Sequence, residues 1–255
     1  MSARSESGPV PFNEILHQAE IEEARNVQLA MLPVEPIRTR AVEFACKFRP
    51  AVEVGGDFLD YFWLDDRRLG FYLGDVVGKG LPAAMYAALA VGTLRGIKKT
   101  GEPPPAVLQL LNRRLRMRVP PARYCAAQYA VFDPSSGQLW HANAGLPRPV
   151  HVSAAGCVEL GEGGLPSGLF PEAHYDQYSA QLAPGDAVLF ITDGIVEALD
   201  GTGDDFGLER LLHVCRQCHG QPADVLLARV FDAVDVFAGG APQHDDMTAA
   251  VLKLA

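Results

Sequence analysis

Four short segments of the sequence place an aspartate beside a hydrophobic run. They read VGGD with Asp57, LGDVVGKG with Asp75, FITDG with Asp193, and QHDDMT with Asp245 and Asp246. A single aspartate in such a position usually forms a turn or caps a helix. Four such segments in one chain instead suggest a cluster of carboxylates, provided that the strand ends converge.

A carboxylate cluster of this kind would be repulsive unless some of its members are protonated or a divalent cation neutralises them. Oxygen ligands without convincing His or Cys partners favour Mg²⁺ or Mn²⁺ over Zn²⁺ or copper. An aspartate that bridges two such ions, about 4 Å apart, can hold a water molecule, lower its pKa and direct it at a phosphorus atom. The aspartates therefore predict a two-metal phosphate hydrolase.

Motifs for several other chemistries are missing or incomplete. The sequence contains no GxSxG and no HExxH. The GKG at residues 78–80 is not a P-loop, because Leu73 stands where the first glycine is required and Gly80 replaces the Ser or Thr. Cys215, Cys218 and His219 spell the haem-attachment pattern CxxCH, but they lie in a predicted amphipathic helix. We interpret the two cysteines as core residues, with a haem or zinc site as the alternative.

The composition is that of a folded globular protein. The chain has 255 residues, of which 48% are hydrophobic and 21% charged, and a net charge of −9. No stretch approaches the roughly 18 to 20 apolar residues of a membrane span, and no signal-peptide layout is present at the start. We therefore expect a cytoplasmic protein with no membrane partner, and the negative charge argues against a nucleic-acid partner.

Basic residues are concentrated between Arg95 and Arg123. This window holds eight Lys or Arg residues and one acid, Glu102, so it carries +7 while the rest of the chain carries −16. Either it presents a face to an acidic partner, or it is a solvated helix surface whose arginines pair with acids elsewhere. The sequence leaves both interpretations open.

Groups of strands alternate with pairs of helices along the chain. This order favours antiparallel sheets covered by helices over a doubly wound parallel sheet, and hence the α+β class. Strands are predicted at 41–48, 58–64, 69–77, 124–133, 138–143, 147–153, 175–182, 186–193 and 247–254, and helices at 81–98, 105–119, 207–218 and 222–237.

A separate helix is predicted over residues 13–32. A lone helix of this length is marginal in water, so its apolar stripe must dock on its own domain or pair with a second copy in a coiled coil. We therefore divide the chain into an N-terminal regulatory or dimerisation helix, residues 1–35, and a catalytic domain, residues 36–255. The stripe consists of Phe12, Leu16, Ala19, Val27, and Ala30 or Met31.

Taken together, the segments resemble the PPM family of metal-dependent serine/threonine phosphatases, also called protein phosphatase 2C-like, in its bacterial RsbU/SpoIIE branch. The resemblance runs over almost the whole chain, from EEARNVQLAMLP through VGGDFLDYF, LGDVVGKGLPAAM and LAPGDAVLFITDGIVEALD to HDDMT. It implies an α-β-β-α sandwich of two mainly antiparallel sheets flanked by helix pairs. It also implies a centre of two Mn²⁺ or Mg²⁺ ions, with a third, weaker ion left open, and hydrolysis of phosphoserine or phosphothreonine by metal-bound water.

The resemblance assigns roles to particular residues. Asp75 would be shared by both ions, and the backbone carbonyl of Val76 would be a further ligand. Asp193 and Asp245 would complete the second metal, and both Asp75 and Asp193 would act in catalysis through the metal-bound water. Asp57 matches the first acidic motif, whose carboxylate engages the metals directly or through water.

Asp246 joins this metal-binding set by the same resemblance, although eukaryotic relatives usually have Asn there. Several glycines are expected to serve backbone geometry close to the ions, a role that needs no side chain. They are Gly56, Gly74, Gly78 and Gly194.

Two positions depart from the family pattern. Val77 stands where eukaryotic relatives carry a His that is proposed to protonate the leaving alkoxide, so the general acid is unassigned, with His244 and His141 as candidates. Leu146 replaces a His that is frequent in this branch, which puts any role of its loop in doubt. Lys79 is a candidate for binding the substrate phosphate.

The resemblance also implies a partner. In this branch the substrate is typically a phosphorylated antagonist protein of the STAS class, in a partner-switching pathway that controls a sigma factor. The alternative is a non-catalytic, phosphatase-like module that sequesters a phosphoprotein. Our hypothesis is that the first helix and the two helices after Asp75 form a switch, moved by an activating partner or sensor. A homodimer through the first helix is the other open interpretation.

Overall fold

A computed structural model of the chain describes residues 12–33, 35–97, 101–117 and 123–255, with side chains from residue 16 onward. Two antiparallel sheets pack face to face in its centre. Across sheet A the strands are β1 (Ile37–Arg38), β2 (Val42–Arg49), β11 (Met247–Leu254), β10 (Ala187–Ile191), β7 (Val150–Ser153) and β8 (Gly156–Glu159). Across sheet B they are β3 (Phe58–Trp63), β4 (Leu69–Val76), β5 (Cys125–Asp133), β6 (Gln138–Ala144) and β9 (Tyr178–Gln181).

Helices cover the outer face of each sheet. Sheet B is covered by α2 (Leu81–Ile97) and α3 (Pro104–Leu115), and sheet A by α5 (Gly207–Arg216) and α6 (Ala223–Ala238). The other helices are α1 (Phe12–Met31), which packs on α2, and the single turn α4 (Asp193–Val196). These four layers confirm the predicted α-β-β-α sandwich. Among the described residues, no helix combines the length and the apolar character that crossing a membrane requires.

Large aromatic side chains fill the space between the sheets. Phe44, Phe71 and Phe190 are almost fully buried there, and the ring centroid of Phe71 lies 5.0 Å from that of Phe44 and 4.9 Å from that of Phe190. Side chains alternate between the two faces of a strand, so Tyr72, next to Phe71, packs under the α2 and α3 layer instead. Both faces of the central strands are therefore buried, which explains why β10 and β11 are almost continuously apolar.

His141 also lies in the buried interior, on β6 of sheet B. Its ring packs against Tyr178 and Phe190, with centroid distances of 5.5 and 6.4 Å. Neither ring nitrogen has a hydrogen-bond partner in the described part of the chain, and burial lowers the pKa of the imidazole to about 4. This position makes His141 a core residue and removes it from the candidates for general acid.

The first helix docks through a different face from the one predicted. Leu16, Ala19, Val27 and Ala30 of the predicted stripe are exposed, and Gln28 is the one buried residue among the described side chains of the helix. The side chain of Phe12 lies outside the described residues. Docking of the predicted stripe on its own domain is therefore not observed at these four positions, and its pairing with a second copy stays a prediction.

Other differences concern the ends and the shortest elements. The helix predicted over 105–119 ends at Leu115, and residues 118–119 lie outside the described part of the chain. The sequence reading also missed β1, β8 and α4. These have two to four residues each, too few for a periodic pattern to emerge.

Candidate metal centre

The five predicted aspartates lie at one edge of the sandwich, where strands of both sheets end. Asp75 is the last residue but one of β4 in sheet B, and Asp57 directly precedes the neighbouring strand β3. Asp193 follows β10 in sheet A, and Asp245 and Asp246 precede β11, which pairs with β10. The structure therefore brings together the carboxylates of all four sequence segments.

Burial and mutual repulsion raise the pKa values of three of these carboxyls. Asp57 is 1% exposed, and burial followed by the charge of Asp75 raises its pKa well above the usual range. Burial and then the charge of Asp193 raise the pKa of Asp75 to about 7. Burial and the charge of Asp245 raise the pKa of Asp193. A bound cation would relieve this repulsion.

One oxygen of Asp57 is left without a partner. Its Oδ2 accepts a hydrogen bond of 2.8 Å from the hydroxyl of Thr192, whereas the buried Oδ1 has no partner among the described residues. A buried carboxylate oxygen without a partner is costly, and it is the kind of atom that an ion or an ordered water satisfies.

Gly56 creates a small space that faces two oxygens. A Cβ atom at this position would lie 2.8 Å from the carbonyl oxygen of Val76 and 3.4 Å from Oδ1 of Asp75. A side chain would therefore push against the two atoms that the resemblance assigns to the metals. The absence of a side chain at Gly56 therefore avoids close contact with both oxygens.

Asp245 and Lys79 form an ion pair at the outer side of the cluster. The distance between Lys79 Nζ and Asp245 Oδ2 is 3.3 Å, and the ammonium also donates to the backbone carbonyl of His244. Lys79 therefore reaches the site, where it partly neutralises Asp245. It is 45% exposed, which leaves it free to turn towards a ligand from solvent.

Asp246 uses both carboxylate oxygens to hold the loop before Asp57. Oδ1 accepts the backbone N–H of Ala51 at 2.8 Å, and Oδ2 accepts that of Gly56 at 2.6 Å. A Cβ atom at Gly55 would lie 2.3 Å from Oδ2, so only glycine permits this approach. In this arrangement Asp246 fixes the position of the loop that carries Asp57.

The donor set fits hard divalent cations. Within the described ranges, no three His, Cys, Asp or Glu side chains already surround a common point as a closed chelate. The carboxylates form an open cluster instead, and a cation would have to draw them together. The orphaned oxygen of Asp57, the space at Gly56 and the all-oxygen chemistry all suit Mg²⁺ or Mn²⁺.

Three other glycines of the prediction have distinct local roles. A Cβ atom at Gly194 would lie 2.0 Å from the carbonyl oxygen of Asp246, so this glycine lets the turn after β10 touch the start of β11. Gly78 has a φ of 95°, a conformation that side chains disfavour. Gly74 makes room for the ring of Phe58, which a Cβ would meet at 2.2 Å, so its contact is with the core.

Sequence reasoning missed several residues around the cluster. Gln28 of α1 donates to the carbonyl of Gly55 at 2.7 Å and accepts its N–H at 3.0 Å, which joins the first helix to the loop before Asp57. Arg123 donates to the carbonyl of Val77 at 3.0 Å. The double glycine of VGGD was the available signal for Gly55, but no local pattern indicates Gln28 or Arg123.

Two of the remaining candidates have contrasting positions. His244 is half-buried, close enough to Asp193 for its positive form to favour that carboxylate, and it lines a cavity of about 120 Å³. Leu146 is 4% exposed and belongs to the core between the sheets. Asn143 closes its loop through hydrogen bonds to the backbone N–H and carbonyl of Leu146. The side chain at 146 therefore contributes packing.

A comparison with protein families gives one match that covers most of the chain. The family model described as stage II sporulation protein E (SpoIIE) matches residues 65–255. Among curated proteins, phosphoserine phosphatase RsbU of Bacillus subtilis (strain 168) is 26% identical over 242 residues, which is 92% of this chain and 70% of RsbU. The chain covers 41% and 45% of two further relatives.

Solved structures agree with this fold. The SiaA-PP2C domain of Pseudomonas aeruginosa superimposes with a TM-score of 0.84, covering 96% of this chain and 100% of that domain at 22% identity. RsbX, solved in complex with magnesium, superimposes with a TM-score of 0.67 over 88% of this chain and 100% of RsbX, at 14% identity. At these identities the similarity concerns the fold.

Proposed function

The chain belongs to the SpoIIE family of PP2C-like phosphatases, in its RsbU/SpoIIE branch, and from this premise we propose that it is a metal-dependent protein serine/threonine phosphatase. The observation that supports the proposal most directly is the buried carboxylate cluster, with an orphaned oxygen on Asp57 and the pKa of Asp75 raised to about 7. Such a cluster destabilises the protein unless cations bind, so it indicates a site kept for function.

We propose that Asp57, Asp75, Asp193, Asp245 and the carbonyl of Val76 hold two Mg²⁺ or Mn²⁺ ions. When bound, these ions would lower the pKa of a water molecule and neutralise charge on the phosphate. Asp246, which the resemblance adds to this set, would act here by holding the loop that carries Asp57.

Residues at the outer side of the cluster would handle the substrate. Lys79 could exchange its contact with Asp245 for one with a phosphate oxygen, because binding of a cation would take over the neutralisation of Asp245. His244 lies beside Asp193 and is the remaining histidine candidate for donating a proton to the leaving oxygen. We thus propose that Lys79 positions the phosphate and that His244 transfers the proton.

The proposed substrate is a phosphorylated antagonist of the STAS class, in a pathway that controls a sigma factor. The name of RsbU, a phosphoserine phosphatase, supports the chemical class. A non-catalytic module that sequesters a phosphoprotein is the alternative. It would retain the fold, but it gives no reason to keep the repelling carboxylates.

Phosphate release would test the proposed activity. We expect hydrolysis of a phosphoserine peptide and of p-nitrophenyl phosphate that requires Mn²⁺ or Mg²⁺ and is lost in Asp193→Ala. Calorimetric titration with Mn²⁺ should be run on the same preparations. Metal binding without turnover of either compound would indicate an enzyme that awaits its activating partner, whereas absence of metal binding would contradict the proposed centre and favour the sequestering module.

We further propose that residues 1–35 form a regulatory element on a catalytic domain of residues 36–255. Arg95 of α2 donates to Asp60 of β3 at 2.8 Å and to the carbonyl of Met31, at the end of α1, at 2.7 Å. Gln28 joins α1 to the loop before Asp57. An activating partner that moves α1 would thereby change the position of the loop that carries Asp57.

The exposed Leu16 and Val27 leave a homodimer through α1 as the other proposal.

Replacing Gln28 by alanine should weaken metal binding. The substitution removes two buried hydrogen bonds to Gly55 and loosens the loop that carries Asp57. We expect the Mn²⁺ concentration for half-maximal activity to rise about tenfold, which corresponds to about 1.4 kcal/mol. Gln18→Ala, at an exposed position of the same helix, is the matched control. An unchanged Mn²⁺ dependence in Gln28→Ala would remove the support for regulation through α1.

A further inference from the structure

The edge of the sandwich that carries the aspartates also carries exposed arginines. We call Arg113, Arg114, Arg116 and Arg123 the basic rim. The first three are exposed at the end of α3. Within the described parts of the chain, none of the four forms an ion pair. The sequence left two interpretations of the basic window open. Pairing of its arginines with acids elsewhere in the fold is not observed for these four residues.

The basic rim lies next to the metal site. Arg123 donates to the carbonyl of Val77, two residues after Asp75. The end of α3 is close by, because a Cβ atom at Gly168 would lie 3.3 Å from Cβ of Leu115 and 3.5 Å from the carbonyl oxygen of Arg123. The end of α3, which carries the other three arginines, therefore lies close to the segment that contacts the loop after β4.

An uncharged helix face adjoins the basic rim. The exposed side of α2 carries apolar or small residues only, and we call these residues the apolar stripe. Its first turns lie near the rim, because the hydroxyl of Tyr86 donates to the carbonyl of Arg123 at 3.2 Å. An exposed helix face made of apolar residues and glycines, bordered by the half-buried Thr93 and Arg95, is typical of an interaction surface. The apolar stripe consists of Leu81, Pro82, Met85, Leu89, Gly92 and Gly96.

We propose that the basic rim and the apolar stripe together form the docking surface for an acidic phosphoprotein. This inference rests on the proposed function and places the phosphoserine of the partner over the aspartate cluster. Charge complementarity selects the partner, because the basic rim gathers four arginines without ion pairs among the described residues, whereas the chain as a whole carries −9. An acidic protein is repelled by most of the surface and attracted here, beside the site.

Two other occupants fit the surface less well. A nucleic acid would use the arginines but has no use for an apolar stripe, and the net charge of −9 opposes it. A second copy related by a two-fold axis would set this surface against itself, so that arginines would face arginines. An acidic partner with apolar residues beside its phosphoserine uses both parts of the surface.

The test reverses the charge of the basic rim. Arg113→Glu, Arg114→Glu and Arg116→Glu are combined in one variant, which avoids residues of the proposed metal site. The matched control combines Arg40→Glu, Arg67→Glu and Arg229→Glu, three exposed arginines without ion pairs among the described residues. Both variants change the net charge by the same amount, so a difference between them reports the position of the charge.

Two labelled peptides of equal length serve as probes, one with acidic and one with lysine residues around a non-hydrolysable phosphonate analogue of phosphoserine. Fluorescence anisotropy in Mn²⁺ measures their binding. We expect wild type and control to bind the acidic peptide at least about tenfold more tightly than the lysine peptide, and the rim variant to lose or reverse this preference. Hydrolysis of p-nitrophenyl phosphate should be the same in all three proteins.

Several outcomes would overturn the docking proposal. They are equal binding of the two peptides by wild type, an unchanged preference in the rim variant, and tighter binding of a labelled oligonucleotide than of the acidic peptide. A change of oligomeric state in the rim variant alone, measured by sedimentation, would indicate a dimer surface instead. The proposed function is tested separately. If it is wrong, no protein hydrolyses p-nitrophenyl phosphate, whereas the anisotropy of wild type and rim variant still shows whether the acidic peptide binds at the basic rim.

Discussion

Replacing Asp75 by asparagine is expected to lower kcat/KM for a phosphoserine peptide by about a thousandfold or more. The substitution keeps the shape of the side chain but removes the charge that would be shared by two cations. The same change should stabilise the metal-free protein, because burial and the charge of Asp193 raise the pKa of Asp75 to about 7. In EDTA at pH 8, we expect the free energy of unfolding to increase by about 1 to 3 kcal/mol.

The sign of the stability effect follows from the pKa. A carboxyl whose pKa is higher in the folded state loses stabilisation as the pH rises from about 4 to about 7, so Asp75 destabilises the folded protein most above pH 7. Urea denaturation in EDTA and phosphate release in Mn²⁺ measure the two effects. Asp232→Asn, at an exposed position on α6, is the control. Near-normal turnover in Asp75→Asn, or a less stable metal-free variant, would contradict the assignment.

Replacing His141 by leucine should stabilise the protein, and the gain should grow in acid. The ring is buried with two nitrogens that lack partners in the described part of the chain, and its pKa is lowered to about 4. An unfolded chain binds a proton at this residue below about pH 6.5, whereas the folded chain does so only below about pH 4. As the pH falls from about 6.5 to about 4, His141 therefore lowers the free energy of unfolding by about 3 kcal/mol.

Urea denaturation of wild type and His141→Leu at pH 7.5 and pH 5 measures this difference. Leucine has a similar volume and no polar atoms, so we expect a gain of about 1 to 2 kcal/mol at pH 7.5 and a larger gain at pH 5. His174→Gln, at an exposed position, should leave the denaturation midpoint unchanged at both values. An equal or smaller gain at pH 5 would show that His141 does not carry the acid sensitivity.

Most of the layered architecture could be predicted because its signals are local. Strands such as β10 and β11 are buried on both faces and read as apolar runs, and the proline-rich break before α3 separates two helices. The aspartates could be found because each follows or precedes such a strand. Their convergence depends on sheet pairing, which the order of the elements suggests but does not determine.

The contacts that a local pattern does not contain could not be predicted. Gln28 looks like any polar residue of an exposed helix, and only the fold brings it to Gly55. Asp246 reads as one more carboxylate of the cluster, yet its oxygens accept two backbone amides. The hydroxyl of Thr192 meets Asp57 across 135 positions of the chain. Hydrophobic periodicity describes single elements, so it misses polar contacts between distant ones.

The contact between Thr192 and Asp57 joins the end of a strand in one sheet to the start of a strand in the other. Secondary structure alone is therefore insufficient to assemble the carboxylate cluster. A molten globule with native-like helices and strands but loosened side-chain packing would leave the carboxylates in two separate groups. Recovery of activity during refolding would therefore report the formation of native side-chain packing between the two sheets. Far-UV circular dichroism would not detect this step.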